Sequence, residues 1–462
     1  MIDYSLQEIA KAVRGELEGP QKSERFKGDV STDTRHIQAG QCFVALRGPQ
    51  FDGHRFIEEA IRKGVTLCVA EKASLPSSLE LSCDFIWVDN TLQALGRLAA
   101  YHRRQLGKKI PVIAVTGSCG KTTTKDLIAH FLATKYKVLK SEGSENNYIG
   151  VPKTLLRWKD EEVIVVELGT NRSGEIRHLS KVVNPTHAVI TMIGNAHLSG
   201  FKNVRGVQEE KMSILESMDE NSVLVYNADD KNIKHPDFKK FKKIRVGFTK
   251  TYDHYADQLD LMHDGANFML DGKEKVTSPL LGKHNILNFL LALGVAAELG
   301  VTRQAAVKSI SSFKAPKGRV RFQEIGEVAW IDDSYNSNPS SLDAAIELFR
   351  SYPKTGRKIL VIGDMLELGP KASLFHREAG RSIAQYQFDL VLTVGQLAKR
   401  FAEEARFFGF ASERINEFAN SEDAGKFLKT QLKSGDTVLL KGSRGMKMER
   451  VMDECNATRE VL

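Results

Sequence analysis

The sequence of 462 residues lacks long apolar runs and has few cysteines, and each shortage excludes a class of protein. No uninterrupted apolar stretch reaches the ~20 residues that a membrane-spanning helix requires. The first residues lack the basic start and apolar stretch of a signal peptide, so we expect a cytoplasmic protein. The cysteines are odd in number and free of any Cys-x-x-Cys pair, which gives no indication of a disulfide framework or a zinc site. They are Cys42, Cys68, Cys83, Cys119 and Cys455.

The composition is that of folded, soluble domains. Apolar residues make up 42% of the chain and charged residues 27%, which excludes collagen-like and largely disordered proteins. A net charge of +8 suits acidic partners such as nucleotides, substrate carboxylates or nucleic acid. The basic residues are nevertheless spread along the chain, and we interpret the one dense cluster, at residues 239–243, as a solvated face. We therefore expect a monomer that binds no nucleic acid and inserts into no membrane.

At ~150 residues per domain, the length predicts about three domains. Polar joints near residues 107–109 and 315–318 place them at 1–108, 109–314 and 315–462. The first reads as mixed α/β, and residues 1–17 within it as an amphipathic helix. The second and third alternate apolar, strand-like runs with helical stretches, which predicts two α/β domains with mostly parallel sheets, the last of them Rossmann-like.

A glycine-rich loop at residues 116–123, Thr-Gly-Ser-Cys-Gly-Lys-Thr-Thr, follows the apolar run 110–116 and precedes a helical stretch. A strand, a loop and a helix in this order form an anion site from backbone N–H groups and the helix dipole. Lys121 would contact the β- and γ-phosphates of a nucleotide, and the Thr122 hydroxyl would coordinate Mg²⁺. The predicted nucleotide-binding residues of the loop are Gly117, Ser118, Cys119, Gly120, Lys121, Thr122 and Thr123.

Two further residues follow strand-like runs and so should lie at the same sheet edge. Glu167 comes directly after the run 163–166 and can reach the same Mg²⁺. His197 comes shortly after the run 188–192. An isolated histidine is more often structural, but its place at this edge favours a functional role. By composition alone, Lys211 reads as a surface lysine.

Short segments in a fixed order carry a family resemblance. In the central part they are Thr116-Gly117-x-x-Gly120-Lys121-Thr122, Asn146-Asn147, Gly150-Val151-Pro152, Glu167-Leu168-Gly169, Gly174-Glu175-Ile176, Asn195-Ala196-His197-Leu198 and His284-Asn285-x-x-Asn288. In the last part they are Gly318-Arg319, the segments 332–339 and 363–369, and Lys441-Gly442-Ser443-Arg444. Together they resemble the Mur ligases, which join amino acids or a dipeptide to UDP-linked muramoyl precursors. The segments 332–339 and 363–369 are similar to those of the members that add D-alanyl-D-alanine.

The resemblance implies a chemistry and roles for the residues that match. ATP would convert the carboxylate of a UDP-N-acetylmuramoyl tripeptide to an acyl phosphate, which the amine of D-alanyl-D-alanine then attacks. Lys121, His197, Lys211 and Arg319 would serve catalysis. Thr122, Glu167 and His197 would form the metal environment, while Lys211, as a carbamate, would order a second Mg²⁺. Asn285 and Asn288 would lie beside the adenine, and Arg319 and Asp333 would reach ATP from the C-terminal domain.

The resemblance also implies substrate contacts. Ser31, Thr32 and Arg35 lie in a segment similar to the family's uridine-nucleotide site, although a reading as capping and turn residues is equally good. Asn146 and Asn147 would contact substrate. Tyr335, Asn336 and Asn338 would shape the dipeptide site, unless they only form a turn. The sequence departs from the family at Cys119, where a polar residue is more usual. A folylpolyglutamate synthetase-like ligase or another ligase that adds a single amino acid remains the alternative.

Overall fold

The computed structural model describes residues 1–21, 23–48, 50–72, 82–107, 109–234, 238, 240–353, 356–386 and 388–457. These residues form three α/β domains in succession, as the sequence predicts. Lys108, in the first predicted joint, and Lys239, in the basic cluster, lie outside the described residues. No helix in the described part of the chain is long and apolar enough to cross a membrane.

The N-terminal domain contains a five-stranded sheet of order β2-β7-β6-β5-β4 and an antiparallel pair, β1 and β3. Its elements are β1 (Ile2–Ser5), α1 (Leu6–Val13), β2 (Glu16–Glu18), β3 (Arg25–Gly28), β4 (Val30–Ser31), β5 (Cys42–Val44), α2 (Ile57–Arg62), β6 (Leu67–Ala70), β7 (Asp84–Trp87) and α3 (Thr91–Leu106). Short 3₁₀ helices occupy Thr34–His36 and Gly53–Phe56.

The prediction of one helix over residues 1–17 is wrong, because only Leu6–Val13 is helical. Ser5 and Glu8 form a capping box that fixes the start of α1, and Arg14 ends it in the left-handed region with φ 62°. The flanking residues pair with distant strands, Ile2–Ser5 with β3 and Glu16–Glu18 with β7. The helical periodicity of this segment contains no information about those partners.

The central domain is built on a nine-stranded sheet of order β16-β15-β14-β13-β12-β11-β8-β10-β9. The strands from β9 to β14 are parallel, and β15 and β16 add an antiparallel ribbon. Its elements are β8 (Val112–Thr116), α4 (Lys121–Leu132), β9 (Val138–Lys140), α5 (Gly150–Leu156), β10 (Val163–Glu167), α6 (Glu175–Val183), β11 (His187–Ile190), α7 (Leu198–Phe201), α8 (Val204–Met212), β12 (Val223–Asn227), β13 (Lys242–Gly247), β14 (His254–Leu261), β15 (Ala266–Leu270), β16 (Glu274–Ser278), α9 (Lys283–Glu298) and α10 (Arg303–Ser309).

The C-terminal domain has a six-stranded sheet of order β17-β18-β22-β19-β20-β21, in which only β17 is antiparallel to its neighbour. Its elements are β17 (Arg321–Ile325), β18 (Val328–Asp333), α11 (Pro339–Ser351), β19 (Lys358–Gly363), α12 (Ala372–Gln385), β20 (Leu390–Val394), α13 (Lys399–Phe407), β21 (Ile415–Phe418), α14 (Ser421–Gln431), β22 (Thr437–Lys441) and α15 (Glu449–Asn456).

Strand β8 shows why the central sheet is buried on both sides. Ile113 and Val115 join the hydrophobic core on one face, whereas Val112 and Ala114 join the core on the other. A continuous apolar run is typical of such a strand. Because β8, β10 and β11 are parallel neighbours, their carboxyl ends meet at one edge. The edge carries Thr116 and Glu167, and it places the residues that follow each strand close together.

Lys242 and Lys243 of the basic cluster are exposed on β13, and Lys242 pairs with Glu298 at 2.7 Å. This part of the cluster is a solvated face, as the sequence suggests. The five cysteines are all free thiols, and only Cys119 is partly exposed.

Candidate active site

The phosphate loop, residues 116–123, joins the end of β8 to the start of α4 and contains two glycines with positive φ. Gly117 has φ 150° and Gly120 has φ 82°. A Cβ on Gly117 would lie 1.9 Å from Thr191 Oγ1, and one on Gly120 would lie 2.6 Å from Asn288 Oδ1. Both positions therefore require glycine for conformation and for space. The loop leaves the N-terminus of α4 facing the cleft, which suits an anion such as a nucleotide phosphate.

Lys121 begins α4, and its side chain turns back across the loop. Its Nζ donates a hydrogen bond to the Gly117 carbonyl oxygen at 2.9 Å. Burial lowers the pKa of Lys121, whereas nearby Glu167 raises it. A cation in this position, with few partners of its own, suits a phosphate oxygen. The residues therefore fit the nucleotide that the sequence predicts.

Glu167 lies at the end of β10, is 1% exposed, and accepts hydrogen bonds from two other residues of the site. The Thr122 hydroxyl donates to Glu167 Oε2 at 2.8 Å, and Asn146 Nδ2 donates to Oε1 at 2.8 Å. Hydroxyl and carboxylate oxygens are the ligands that Mg²⁺ prefers, together with substrate phosphates and water. No group of three or more His, Cys, Asp or Glu able to hold a metal occurs in the described ranges. The donors present therefore suit a cation that phosphate oxygens also coordinate.

Lys211 is buried and only 1% exposed, so its interpretation as a surface lysine is wrong. It lies on α8, where Val207 and Glu210 are buried with it. Burial lowers the pKa of Lys211 well below its usual value, and the nearby Lys121 lowers it further. Lys211 is therefore a buried amine beside the phosphate loop.

His197 lies at the predicted sheet edge, but its ring faces the C-terminal domain. It precedes α7 in the left-handed region, with φ 50°. Its Nδ1 lies 2.6 Å from a carboxylate oxygen of Glu367, and the Ser199 N–H donates to the Glu367 carbonyl oxygen at 3.1 Å. Glu367 and Ser199 thus form a domain contact that the sequence analysis missed, although Glu367 lies within one of the family segments.

Arg319 brings the C-terminal domain to the phosphate loop. Its Nη2 donates to Thr122 Oγ1 at 3.3 Å, and its guanidinium carbon lies 3.9 Å from the centre of the Tyr335 ring. The Tyr335 hydroxyl in turn donates to Ser144 Oγ of the central domain at 2.5 Å. Two residues of the last domain, stacked on each other, therefore contact two separate loops of the central domain.

Asp333 is buried at the end of β18 beside Lys441, a residue that the sequence analysis did not assign to the site. Lys441 Nζ donates to Asp333 Oδ2 at 2.5 Å and to the Asn336 carbonyl oxygen at 3.2 Å. Burial raises the pKa of Asp333, and Lys441 acts in the opposite direction. Lys441 thereby ties the end of one strand to the loop that follows it.

Asn285 and Asn288, on α9, are buried against the helix that follows the phosphate loop. Thr124 Oγ1 donates to Asn288 Oδ1 at 3.1 Å, and Asn288 Nδ2 donates to Asn285 Oδ1 at 2.9 Å. His284, which precedes them, is half-buried, and desolvation lowers its pKa to about 4. The predicted contact of these asparagines with adenine stays a prediction.

Three other predicted asparagines have local structural roles as well as a place at the cleft. Asn147 Oδ1 accepts from two N–H groups at the start of α5, and Asn338 caps α11 with a capping box. Asn336 Oδ1 accepts from the Ser337 N–H at 2.9 Å. Asn338 also lies 3.4 Å from the Cys119 Sγ. The local hydrogen bonds expected of a turn are therefore present, and the segment also faces the phosphate loop.

A cavity of about 740 Å³ between the central and C-terminal domains collects most of the predicted residues. Its lining includes Ser118, Cys119, Gly120, Lys121, Thr122, Thr123, Asn146, Asn147, Glu167, His197, Asn285, Asn288, Arg319, Asp333, Tyr335, Asn336 and Asn338. Gly117 and Lys211 are not among the lining residues. A smaller cavity of about 220 Å³ shares His197, Tyr335, Asn336 and Asn338 with it.

Ser31, Thr32 and Arg35 do not line either cavity among the described residues. They belong to a turn in which Asp33 caps the 3₁₀ helix Thr34–His36. Arg35 pairs with Asp33 at 2.6 Å, and Ser31 Oγ donates to the Asp33 carbonyl oxygen at 3.1 Å. This geometry agrees with the reading as capping and turn residues, and the uridine contact stays a prediction.

Comparisons with known proteins agree with this architecture along the whole chain. The Mur ligase family catalytic domain matches residues 29–103, the Mur ligase middle domain residues 115–296, and the Mur ligase glutamate ligase domain residues 318–444. The UDP-N-acetylmuramoyl-tripeptide–D-alanyl-D-alanine ligase of Bacillus subtilis (strain 168) is 36% identical over 457 residues, which are 98% of each chain.

Solved structures agree as well. A crystal structure of MurF from Acinetobacter baumannii has a TM-score of 0.88 at 31% identity, covering 99% of this chain and 100% of that one. A structure of MurF ligase from Thermotoga maritima in complex with ADP has a TM-score of 0.83 at 29% identity, covering 94% and 98%. Because these matches span all three domains and include a relative more than 30% identical over nearly the full length, the chain belongs to the Mur ligase family.

Proposed function

We propose that this protein is an ATP-dependent, ADP-forming ligase that adds D-alanyl-D-alanine to UDP-N-acetylmuramoyl-tripeptide, a step of peptidoglycan synthesis. The observation that carries the proposal is the meeting of Thr122 and Glu167 with Arg319 in one cavity between two domains. The chain matches relatives named for this reaction over nearly its whole length.

The chemistry accounts for the residues present. An amide does not form spontaneously from a carboxylate and an amine in water, so the carboxylate is first activated. A carboxylate oxygen of the tripeptide attacks the γ-phosphorus of ATP, which gives an acyl phosphate and releases ADP. The amine nitrogen of the dipeptide then attacks the acyl carbon, loses a proton, and phosphate leaves with the carbon–oxygen bond electrons.

Both steps concentrate negative charge on phosphoryl oxygens, and fixed cations and N–H groups stabilise that charge. Lys121 and the N-terminus of α4 face the nucleotide from the central domain, and Arg319 faces it from the C-terminal domain. Mg²⁺, when bound by Thr122 and Glu167, neutralises charge on the phosphates. No side chain is required as a covalent nucleophile, because the phosphoryl group itself activates the donor.

We infer that Lys211 acts as a carbamate that orders a second Mg²⁺. A carbamate forms when a neutral amine adds to CO₂, with loss of a proton, and the lowered pKa of Lys211 favours the neutral amine. The product is a carboxylate-like group, which would convert a buried cation into a metal ligand. Its burial beside the loop supports this role over that of a surface residue.

The acceptor site is proposed at Tyr335, Asn336 and Asn338, which line both cavities. An aromatic ring and two amides suit a small dipeptide without net charge. The UDP moiety is proposed to bind on the N-terminal domain at Ser31, Thr32 and Arg35, with Asn146 and Asn147 contacting the muramoyl peptide. A folylpolyglutamate synthetase-like activity is disfavoured, because the N-terminal Mur ligase match covers residues 29–103.

The test is phosphate release measured with ATP, UDP-muramoyl tripeptides carrying either diaminopimelate or lysine, and four acceptors. D-Alanyl-D-alanine should support turnover, whereas D-alanine, L-lysine and diaminopimelate should not. Preference for a single amino acid would refute the acceptor assignment and leave the ligase class intact. Absence of phosphate release with every pair would refute the class itself.

A further inference from the structure

Lys125 is a buried lysine that the chemistry above does not use. It lies in α4, one turn beyond Lys121, and its side chain is 1% exposed. Its Nζ donates to the carbonyl oxygens of Ser141 at 2.8 Å and Gly143 at 2.9 Å. The carboxylate of Asp126 lies 3.4 Å away. Because an ammonium group is costly to bury, such a placement indicates that its hydrogen bonds serve a purpose.

The carbonyls that Lys125 holds belong to a loop, residues 141–147, which supplies two contacts of the site. Ser144 Oγ accepts the hydrogen bond from the Tyr335 hydroxyl, and Asn146 Nδ2 donates to Glu167. Gly143, whose carbonyl oxygen Lys125 binds, directly precedes Ser144 and lies in the left-handed region, with φ 49°. The position of Ser144 therefore depends on how firmly Ser141 and Gly143 are held.

These contacts form a continuous chain that begins and ends on helix α4 and passes through the C-terminal domain. From Thr122 it runs to Arg319, from Arg319 to the stacked Tyr335, and from Tyr335 to Ser144. Lys125 lies three residues after Thr122 on the same helix and closes this chain of contacts, because it donates to the carbonyl oxygen of Gly143, the residue before Ser144. The phosphate-loop helix thus contacts the C-terminal domain at one point directly and at a second point through the loop.

We propose that Lys125 is a positioning residue, which fixes the loop 141–147 so that Tyr335 docks on Ser144 when the central and C-terminal domains meet. The role is mechanical, since Lys125 touches neither the nucleotide site nor either cavity among the described residues. Its effect on turnover rests on the proposed function, whereas its effect on the loop does not.

The test uses Lys125→Met, which keeps the apolar stem and removes the donors, and Lys135→Met as a matched control. Lys135 lies just past the other end of α4, and its Nζ also donates to two carbonyl oxygens, those of Leu299 at 3.4 Å and Gly300 at 2.9 Å. It is exposed and remote from the cavity. Hydrogen–deuterium exchange of a peptide covering residues 141–147 reports the loop in the full-length enzyme without substrates.

Lys125→Met should speed exchange in this peptide by about tenfold or more, because the loop loses two anchors, and Lys135→Met should leave it unchanged. The kinetic readout is a double-mutant cycle with Ser144→Ala. Each single variant should lower kcat/KM for D-alanyl-D-alanine by about tenfold with ATP affinity within about twofold, and the double variant should lose no more than Lys125→Met alone.

Unchanged exchange in Lys125→Met, or losses that multiply to about a hundredfold in the double variant, would contradict the proposal. If Lys125→Met does not fold, Lys125→Arg replaces it, since an arginine keeps the cation and its donors. Lys125→Arg should retain more acceptor turnover than Ser144→Ala, and equal or greater loss would count against the role. If the wild-type enzyme does not use the dipeptide, the proposed function fails, while the exchange comparison still decides whether Lys125 holds the loop.

Discussion

Replacement of Arg319 tests whether the C-terminal domain completes the nucleotide site. A fixed donor aimed at developing charge contributes about 10²- to 10³-fold to kcat. The stack of the guanidinium on Tyr335, at 3.9 Å, contributes about 0.5–2 kcal/mol, which corresponds to about 2- to 30-fold. Arg319→Met removes both and should lower kcat by about 2 × 10²- to 3 × 10⁴-fold, the product of the two factors. Arg319→Lys keeps the charge without the planar stack and should lose about 10- to 100-fold.

The assay is phosphate release at saturating donor, acceptor and ATP, with nucleotide binding measured separately by calorimetry. Arg350→Met is a matched control, because Arg350 also lies over a tyrosine ring, that of Tyr386 at 5.1 Å, on the outside of the same domain. It should retain wild-type turnover, and thermal unfolding should show that all variants fold. Turnover of Arg319→Met within about threefold of wild type would refute the assignment of Arg319 to the phosphoryl-transfer site.

Further predictions concern the other site residues. Lys121→Ala and Glu167→Ala should each lower amide formation by about 10²-fold or more while the fold survives, because each loses a charge at the phosphates; phosphate release together with circular dichroism checks this. Lys211→Ala should be nearly inactive and partly rescued by short-chain carboxylic acids, whereas full activity without them would exclude the carbamate. Asn336→Ala should raise the dipeptide KM or lower kcat by about tenfold, since an unmade hydrogen bond costs about 1–3 kcal/mol, and steady-state kinetics with unchanged ATP binding would separate this from general damage.

The parts of the site that sequence alone predicts are those that depend on neighbours along the chain. The apolar run before the phosphate loop is a strand buried on both faces, and the helix after it begins at Lys121. Glu167 falls beside Thr122 because parallel strands share an edge, which is a general property of such sheets. Local pattern and a topological rule together are sufficient for this half of the site.

What the sequence does not show depends on packing between distant segments. Lys211 lies among acidic residues in a polar stretch, yet the fold buries it. Lys125, in the first half of α4, is buried as well. The contact of Arg319 with Thr122 joins residues 197 positions apart. A short motif marks Arg319 as unusual, but only the arrangement of two domains shows what it contacts. Helical periodicity likewise does not predict the pairing of β1 with β3, because the two strands are distant in sequence.

Because the nucleotide site is divided between two domains, its positive charge depends on how those domains meet. A site assembled within one domain would hold all of its phosphate-stabilising groups in place whether or not the other domain was near. Here Arg319 belongs to the C-terminal domain, which also carries Tyr335 and Asn336 of the proposed acceptor site. Separation of the two domains would therefore withdraw Arg319 from Thr122 and leave the site without part of its positive charge. This division would make phosphoryl transfer depend on contact between the two domains.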